Sequence, residues 1–247
     1  MANICVAFVC NYRYLHKFFE TCKALIYVGE YSGQIVLLVG NDINVKSLAK
    51  LPFFVENPQI LICQEPDIQF SASTIEAINT TNAKCDKFGY KLFQYHKFYL
   101  FTPYFKQWDY VFYIDCGAKI YDNIQPILDC ATPNALVAHS DAYPTYQWKL
   151  GDQFLDNSVQ NASNYFQSTI MLYCTSLIDN YHTFNNLCDL ATKYPQCRTN
   201  DQGILNLAFA NVWKQIPLHN EKKYLYDFCI RHTDKPYIMT KYYVFND

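Results

Sequence analysis

The stretch Tyr110-Val111-Phe112-Tyr113-Ile114-Asp115-Cys116-Gly117 decides how the rest of this chain is interpreted. Apolar residues run without alternation into a single acid, which is typical of a strand that is covered on both faces. Asp115 would then lie where a buried strand reaches the surface, and ligands bind at that edge in open α/β sheets. An acid in this position can also cap a turn. Gly117 would let backbone or a ligand approach closely.

The flanking sequence has the pattern of an α/β domain. Apolar runs at residues 4–10 and 35–39 enclose a segment with helical spacing, and this order predicts a βαβ unit with parallel strands. Further strands are predicted at residues 60–62, 136–139 and 169–173, and helices at residues 45–51, 91–105, 177–193 and 202–211. Residues 64–90 predict no single structure. The predicted fold class is one α/β domain over residues 1–247, with a mixed, mostly parallel sheet flanked by helices.

Composition limits the function classes. Of 247 residues, 51% are hydrophobic and 17% charged, which is enough for a full core. The formal charge of −2 creates no field for nucleic acid, so no nucleic-acid partner is expected. No apolar stretch reaches the ~18 residues that span a bilayer, and no signal sequence is evident. The 11 cysteines lack C-x-x-C spacing, so we expect reduced thiols and a cytoplasmic location.

Polar residues recur at five points of this pattern, which are residues 11–14, 115–117, 165–168, 200–202 and 232–237. Each point has an ordinary explanation as a turn, a helix cap or a surface group. In this order and spacing, however, they resemble glycosyltransferase family 8, the GT-A-fold group that includes glycogenin and the galactinol synthases.

Two motifs carry most of this resemblance. Asn200-Asp201-Gln202-Gly203-Ile204-Leu205-Asn206 is similar to the family's D-Q-G-x-L-N element, and Tyr113-Ile114-Asp115 resembles the start of its D-x-D signature. His96-Lys97-Phe98 resembles T-K-L, and the segment from Tyr165 to Leu172 resembles Y-F-N-S-G-V-M-L. The chain also resembles GT-A-like proteins of large DNA viruses that carry D-C-G instead of D-x-D.

The resemblance implies a GT-A-like domain that moves a sugar from a nucleotide-sugar donor, expected to be a UDP-sugar, to an acceptor with retention of configuration. The acceptor, whether glycan, protein or small molecule, is left open. The implied cofactor is Mn²⁺ or Mg²⁺. The residue roles implied are Asn11 and Tyr14 for the nucleotide, Lys97 and Lys235 for the donor and its phosphates, Gln167, Asp201 and Gln202 for the sugar and catalysis, and Asp115 with His232 for the metal. Residues 139–148 fall where family members contact the donor sugar and acceptor.

Gly117 departs from the family, because D-x-D has its second acid there. Loss of one carboxylate weakens a site for a hard cation. Three hypotheses stay open: a metal held by Asp115, His232 and the diphosphate; a substitute acid such as Asp122 or Asp141; or phosphates neutralised without a metal by Lys97, Lys235 or Arg231.

Gly117 also leaves a second function class open, a non-catalytic module that binds a sugar nucleotide or glycan. The acid in Asn200-Asp201-Gln202 argues for catalysis instead, because a pure binder has less need of an acid at the reacting carbon. A nucleotidyltransferase ranks lower, because residues 11–14 contain no glycine for a phosphate-binding loop.

Overall fold

The structure is a computed structural model that describes residues 2–85, 92–140, 165–197, 199–216, 219–222, 228–232 and 235–239. Side chains are described as far as residue 216, except those of residues 82–85 and 140.

Strands make up two sheets in the described part of the chain. In chain order they are β1 (Ile4–Cys10), β2 (Ile35–Val39), β3 (Ile60–Gln64), β4 (Tyr110–Ile114), β5 (Lys119–Ile120), β6 (Leu136–Ser140), β7 (Phe166–Cys174), β8 (Trp213–Gln215), β9 (His219–Lys222), β10 (Phe228–His232) and β11 (Lys235–Met239). The large sheet has the order β3-β2-β1-β4-β7-β6-β8, and the small sheet has the order β5-β11-β10-β9. In the large sheet only the β4–β7 and β6–β7 pairs are antiparallel. The predicted mixed, mostly parallel sheet is confirmed.

Helices flank the large sheet. The α-helices are α1 (Leu15–Tyr27), α2 (Val45–Leu48), α3 (Pro52–Glu56), α4 (Ala72–Cys85), α5 (Gln125–Leu128), α6 (His182–Lys193) and α7 (Asp201–Phe209). Short 3₁₀ helices cover Tyr12–Tyr14, Leu92–Phe101, Pro103–Gln107 and Thr175–Leu177. No helix in the described ranges is long and apolar enough to cross a bilayer.

Both faces of the large sheet are covered, which explains the unbroken apolar runs. Along β1, Cys5 and Ala7 enter one core cluster, whereas Val6 and Phe8 enter the cluster on the opposite face. Helix α1 covers the second face through residues spaced one turn apart, since Phe18, Thr21, Cys22 and Leu25 are all buried. Alternate side chains of a strand point to opposite faces, so a strand with two apolar surroundings shows no polar alternation.

Several predicted helices need correction. The α-helix predicted over residues 91–105 is instead two 3₁₀ helices, because Thr102 is extended before Pro103, as the proline ring requires. The helix predicted over 45–51 likewise ends at Leu48, and α3 begins at Pro52 after an extended Leu51. Helix α6 begins at His182 rather than at 177, α7 covers Asp201–Phe209, and α4 lies in the stretch without a prediction.

One edge of the large sheet gathers the chain segments singled out by sequence. Strand β4 runs parallel to β1 and antiparallel to β7. The carboxyl ends of β1 and β4 therefore meet the amino end of β7. Asn11, Asp115 and Gln167 are brought to the same edge by this arrangement, and α7 packs against β7 beside them.

Candidate active site

The loop after β1 is fixed by hydrogen bonds from side chains to backbone. Asn11 Oδ1 accepts the Tyr14 N–H at 3.2 Å, and Asp42 Oδ2 accepts the Tyr12 N–H at 2.8 Å. Asp42 follows β2, which pairs with β1 up to its last residue, Cys10. The loop therefore stands on two neighbouring strand ends and leaves Tyr12 exposed.

A tight turn follows β4. The Ala118 N–H donates to the Asp115 carbonyl at 3.2 Å, and Gly117 has a φ of 100°. A positive φ at the third of four residues is the requirement of a type II turn, which explains a glycine at this position. Thr21 of α1 ties the turn down: its hydroxyl accepts the Gly117 N–H at 2.9 Å and donates to the Ala118 carbonyl at 3.1 Å.

A buried ion cluster lies at the sheet edge. Lys97 Nζ is 3.1 Å from Asp115 Oδ1 and 2.9 Å from Asp201 Oδ2. All three residues are buried, and we call them the charge centre. Tyr113 OH also donates to Asp115 Oδ1, and Ser168 Oγ donates to Asp201 Oδ2 at 3.0 Å. The two carboxylates therefore share one ammonium, and each accepts a hydroxyl as well.

Burial and charge compete in setting the protonation of this cluster. Burial alone would lower the pKa of Lys97, but the charges of Asp115 and Asp201 outweigh it and raise the pKa above its ordinary value. Burial raises the pKa of Asp115, and the Lys97 charge and the Tyr113 hydrogen bond offset this in part. Lys97 is therefore a permanent cation at physiological pH.

Two amides of α7 connect the helix to β7. Gln202 Oε1 accepts the Ser168 N–H at 3.2 Å. Asn206 Oδ1 accepts the Phe166 N–H, and Asn206 Nδ2 donates to the Phe166 and Gln202 carbonyls, at 2.8 to 2.9 Å. Gly203 permits this close approach, since a Cβ atom there would clash with Cys197 Sγ. Asp201 is thereby held at the start of α7 with little freedom to move.

Asn200 precedes Asp201 in a strained conformation. Its φ is 50°, in the region that few residues other than glycine adopt. Its side chain does not cap α7 but donates to Gln94 Oε1 at 2.8 Å. Its Oδ1 atom is buried without a hydrogen-bond partner among the described residues. The backbone conformation and the unpaired oxygen both cost free energy at the entry to Asp201.

Residues 5–231 match the family model described as Glycosyl transferase family 8. The chain belongs to glycosyltransferase family 8. No curated protein sequence matches it. The resemblance to D-C-G proteins of large DNA viruses stays a prediction.

Solved glycosyltransferase structures share the fold of this family 8 chain. They include apo WbbM, a bifunctional glycosyltransferase (TM-score 0.60, 16% identity, covering 87% of this chain and 39% of that one). A second is GlyE of Streptococcus pneumoniae TIGR4, with a TM-score of 0.57 and 16% identity, covering 88% of this chain and 46% of that one. A third is core-mannan synthase A of Aspergillus fumigatus in an Mn/GDP form, with a TM-score of 0.55 and 11% identity, covering 87% of this chain and 73% of that one. The chain spans less than half the length of the first two. The likeness confirms the GT-A fold.

The fold brings four of the nine predicted site residues into one cluster. Lys97, Asp115 and Asp201 are in contact, and Gln202 joins them through Ser168. Gln167 is buried in β7 and directly precedes Ser168 in the chain. Sequence reasoning gave no role to Ser168 or Tyr113. The sequence could have pointed to them only through their positions, because Tyr113 lies two residues before Asp115 and Ser168 directly follows Gln167 in the matched motifs.

Other predicted site residues are placed less completely. His232 and Lys235 pair in register across β10 and β11, but their side chains lie outside the described part of the structure, as does that of Arg231. Asp141 and the rest of residues 141–148 lie outside the described residues, whereas His139 is buried in β6.

The described residues do not fit the divalent-cation site that the family resemblance implies. Gly117 supplies no carboxylate, and Asp115 Oδ1 already accepts from Lys97 and Tyr113. Asp122, a suggested substitute, accepts the backbone N–H of Asn123 at 2.9 Å. Within the described ranges no group of three or more His, Cys, Asp or Glu side chains is arranged to hold a metal ion.

Proposed function

We propose that this chain transfers a sugar from a nucleotide-sugar donor, a UDP-sugar by expectation, to an acceptor that the sequence leaves open. The observation that carries the proposal is the charge centre, a buried ammonium between two buried carboxylates at the ligand-binding edge of a family 8 fold. Buried ionisable groups are costly and contribute little net stability, so a cluster of them at a ligand-binding edge is a candidate functional site.

Donor cleavage explains the need for these groups. Departure of the nucleoside diphosphate leaves positive charge on the anomeric carbon and negative charge on the phosphates. Asp201 would face the sugar and stabilise the oxocarbenium-like carbon, with its carboxylate kept oriented by Lys97 and Ser168. Gln167 and Gln202 would bind sugar hydroxyls. Retention of configuration is proposed on the family resemblance.

The nucleotide would lie beside the charge centre. Asn11 and Tyr14 stand at the end of β1, the strand that pairs with β4. We assign the base and ribose to this loop, and the diphosphate to the turn after Asp115. His232 and Lys235 are assigned to the diphosphate as well. Mn²⁺ or Mg²⁺ at Asp115 and His232 is implied by the resemblance alone, and the described residues do not support a site of that kind.

The strained Asn200 supports a catalytic role for its neighbour. A non-glycine residue with positive φ costs on the order of 1–3 kcal/mol and persists where the surroundings require it. The conformation of Asn200 sets the position of the next residue, Asp201, whose carboxylate contacts Lys97. A pure binding module, the alternative suggested by Gly117, has less need of an acid placed in this way.

Calorimetry and turnover together test the proposal. UDP and GDP are titrated into the purified protein, with and without Mn²⁺, and cleavage of UDP-glucose, UDP-galactose and GDP-mannose is followed by nucleotide release. We expect Asp115→Ala to weaken nucleotide binding. Asp201→Asn should reduce turnover by about a hundredfold with little change in affinity, whereas the exposed Asp189→Asn on α6 should change neither.

Two outcomes would overturn the proposed function. If neither nucleotide binds, the sugar-nucleotide reading fails. If a nucleotide binds but no donor is cleaved, the chain is the binding module instead.

A further inference from the structure

A lysine lies against the position at which D-x-D signatures carry their second acid. A Cβ atom on Gly117 would lie 3.3 Å from Cδ of Lys17 and 4.0 Å from its Cβ. The stem of Lys17 therefore covers Gly117. The Lys17 ammonium lies 4.5 Å from the centre of the Tyr14 ring, within the range of a cation–π interaction.

Helix α1 fixes this lysine relative to the turn. Lys17 and Thr21 are one helical turn apart and so lie on the same face of α1. Thr21 holds the Gly117 N–H and the Ala118 carbonyl, so the turn cannot move away from α1 without losing two buried hydrogen bonds. The ammonium is consequently placed between the nucleotide loop at Tyr14 and the turn that follows Asp115.

The charge centre does not itself provide a net positive charge. Lys97 is offset by two carboxylates, so the cluster carries a formal charge of −1 when both are ionised. A diphosphate brought next to it would be repelled unless another cation were present. Lys17 is half-buried, and it lies beside the same turn on the side of the nucleotide loop.

We propose that Lys17 binds the donor diphosphate in the place of the carboxylate-bound divalent cation, so that nucleotide binding does not depend on a metal. The inference rests on the proposed function, because it concerns the same donor. An ammonium can neutralise phosphate oxygens directly with up to three hydrogen bonds. The exchange of an acid for glycine at position 117 then leaves room for the lysine stem, and the two features belong to one arrangement.

The test is calorimetry of UDP and UMP in the presence of a chelator. Wild-type protein is expected to bind UDP in EDTA, with affinity within about threefold of that measured in Mn²⁺. Lys17→Met keeps the apolar stem over Gly117 and removes the charge. It should weaken UDP binding by about tenfold or more, equivalent to ~1.4 kcal/mol, and UMP binding by less than about threefold, because the missing contact is to the second phosphate.

Lys23 supplies the matched control. It lies on the same helix, is exposed, and also stands over an aromatic ring, that of Phe53 at 5.9 Å. Lys23→Met should leave UDP affinity unchanged, and Lys17→Arg should retain it within about threefold. Thermal unfolding of each variant verifies that the fold is kept.

The outcomes separate this inference from the proposed function. UDP binding only with Mn²⁺, or an equal loss in Lys17→Met and Lys23→Met, overturns the role of Lys17 and leaves the transferase proposal standing. Absence of nucleotide binding under every condition overturns both.

Discussion

Replacement of Lys97 by methionine tests the energetics of the charge centre. The substitution keeps most of the side-chain length but leaves Asp115 and Asp201 in the interior without their shared cation. Removing one partner of a buried ion pair costs about 3–5 kcal/mol. We expect a loss of that size in the free energy of unfolding at pH 7.5.

The loss should shrink as the pH falls. Without Lys97 the pKa of the buried Asp115 carboxyl rises further, so the folded state binds a proton that the unfolded state does not hold. An acid whose pKa is raised on folding contributes stability at low pH and loses it as the pH rises. One such proton is worth about 1.4 kcal/mol per pH unit, hence up to ~2.7 kcal/mol between pH 7.5 and 5.5.

Urea unfolding, followed by far-UV circular dichroism at both pH values, measures the effect. Lys193→Met is the matched control, because Lys193 is exposed and stands 5.1 Å over the Tyr194 ring, much as Lys97 stands 5.2 Å over Tyr113. The control should lose less than ~1 kcal/mol at either pH. A loss below ~1 kcal/mol in Lys97→Met, or a loss independent of pH, would refute this account of the charge centre.

Three further predictions concern the supporting structure. Gly117→Ala should cost about 1–2 kcal/mol, read from the urea midpoint, because the φ of 100° disfavours a side chain; an unchanged midpoint would contradict the turn geometry. Asn206→Leu leaves the backbone of Phe166 unpaired and should cost ~2–4 kcal/mol of unfolding free energy, against little for the exposed Asn185→Leu. Burial lowers the pKa of His96, so its contribution to stability is present above the ordinary pKa of 6.5 and is lost as the pH falls below that value. His96→Asn should therefore reduce the fall in unfolding free energy between pH 7.5 and 5.5. An equally steep fall in the variant would contradict this role of His96.

The sequence predicted the strands of the sheet better than its helices. Apolar runs such as Ile4–Cys10 are unambiguous, because a strand covered on both faces excludes polar residues. Burial on all sides also explains why the type of helix at Leu92–Phe101 was predicted wrongly. Residues from Tyr95 to Phe101 are all buried, so the segment has no solvent-facing side whose polar residues would reveal the helical period. The α-helix predicted there is a 3₁₀ helix that stops before Pro103.

The candidate site was predicted residue by residue, but not as a cluster. Motif resemblance selected Lys97, Asp115 and Asp201 separately. Only the fold shows them as a cluster, because the three residues belong to different elements and both carboxylates lie within 3.1 Å of the Lys97 ammonium. Lys17 had no signal in the sequence. It lies outside every matched motif, and its relation to Gly117 depends on how α1 packs against the turn.

The turn at Gly117 has a consequence for attempts to engineer this chain. Restoring an aspartate at position 117 would place an L side chain at a φ of 100° and direct it onto the stem of Lys17. The new carboxylate would then form an ion pair with that lysine before it met any metal ion. A cation-binding version of the protein would therefore need two changes together, an aspartate at position 117 and the replacement of Lys17, because neither change alone would create the cation site.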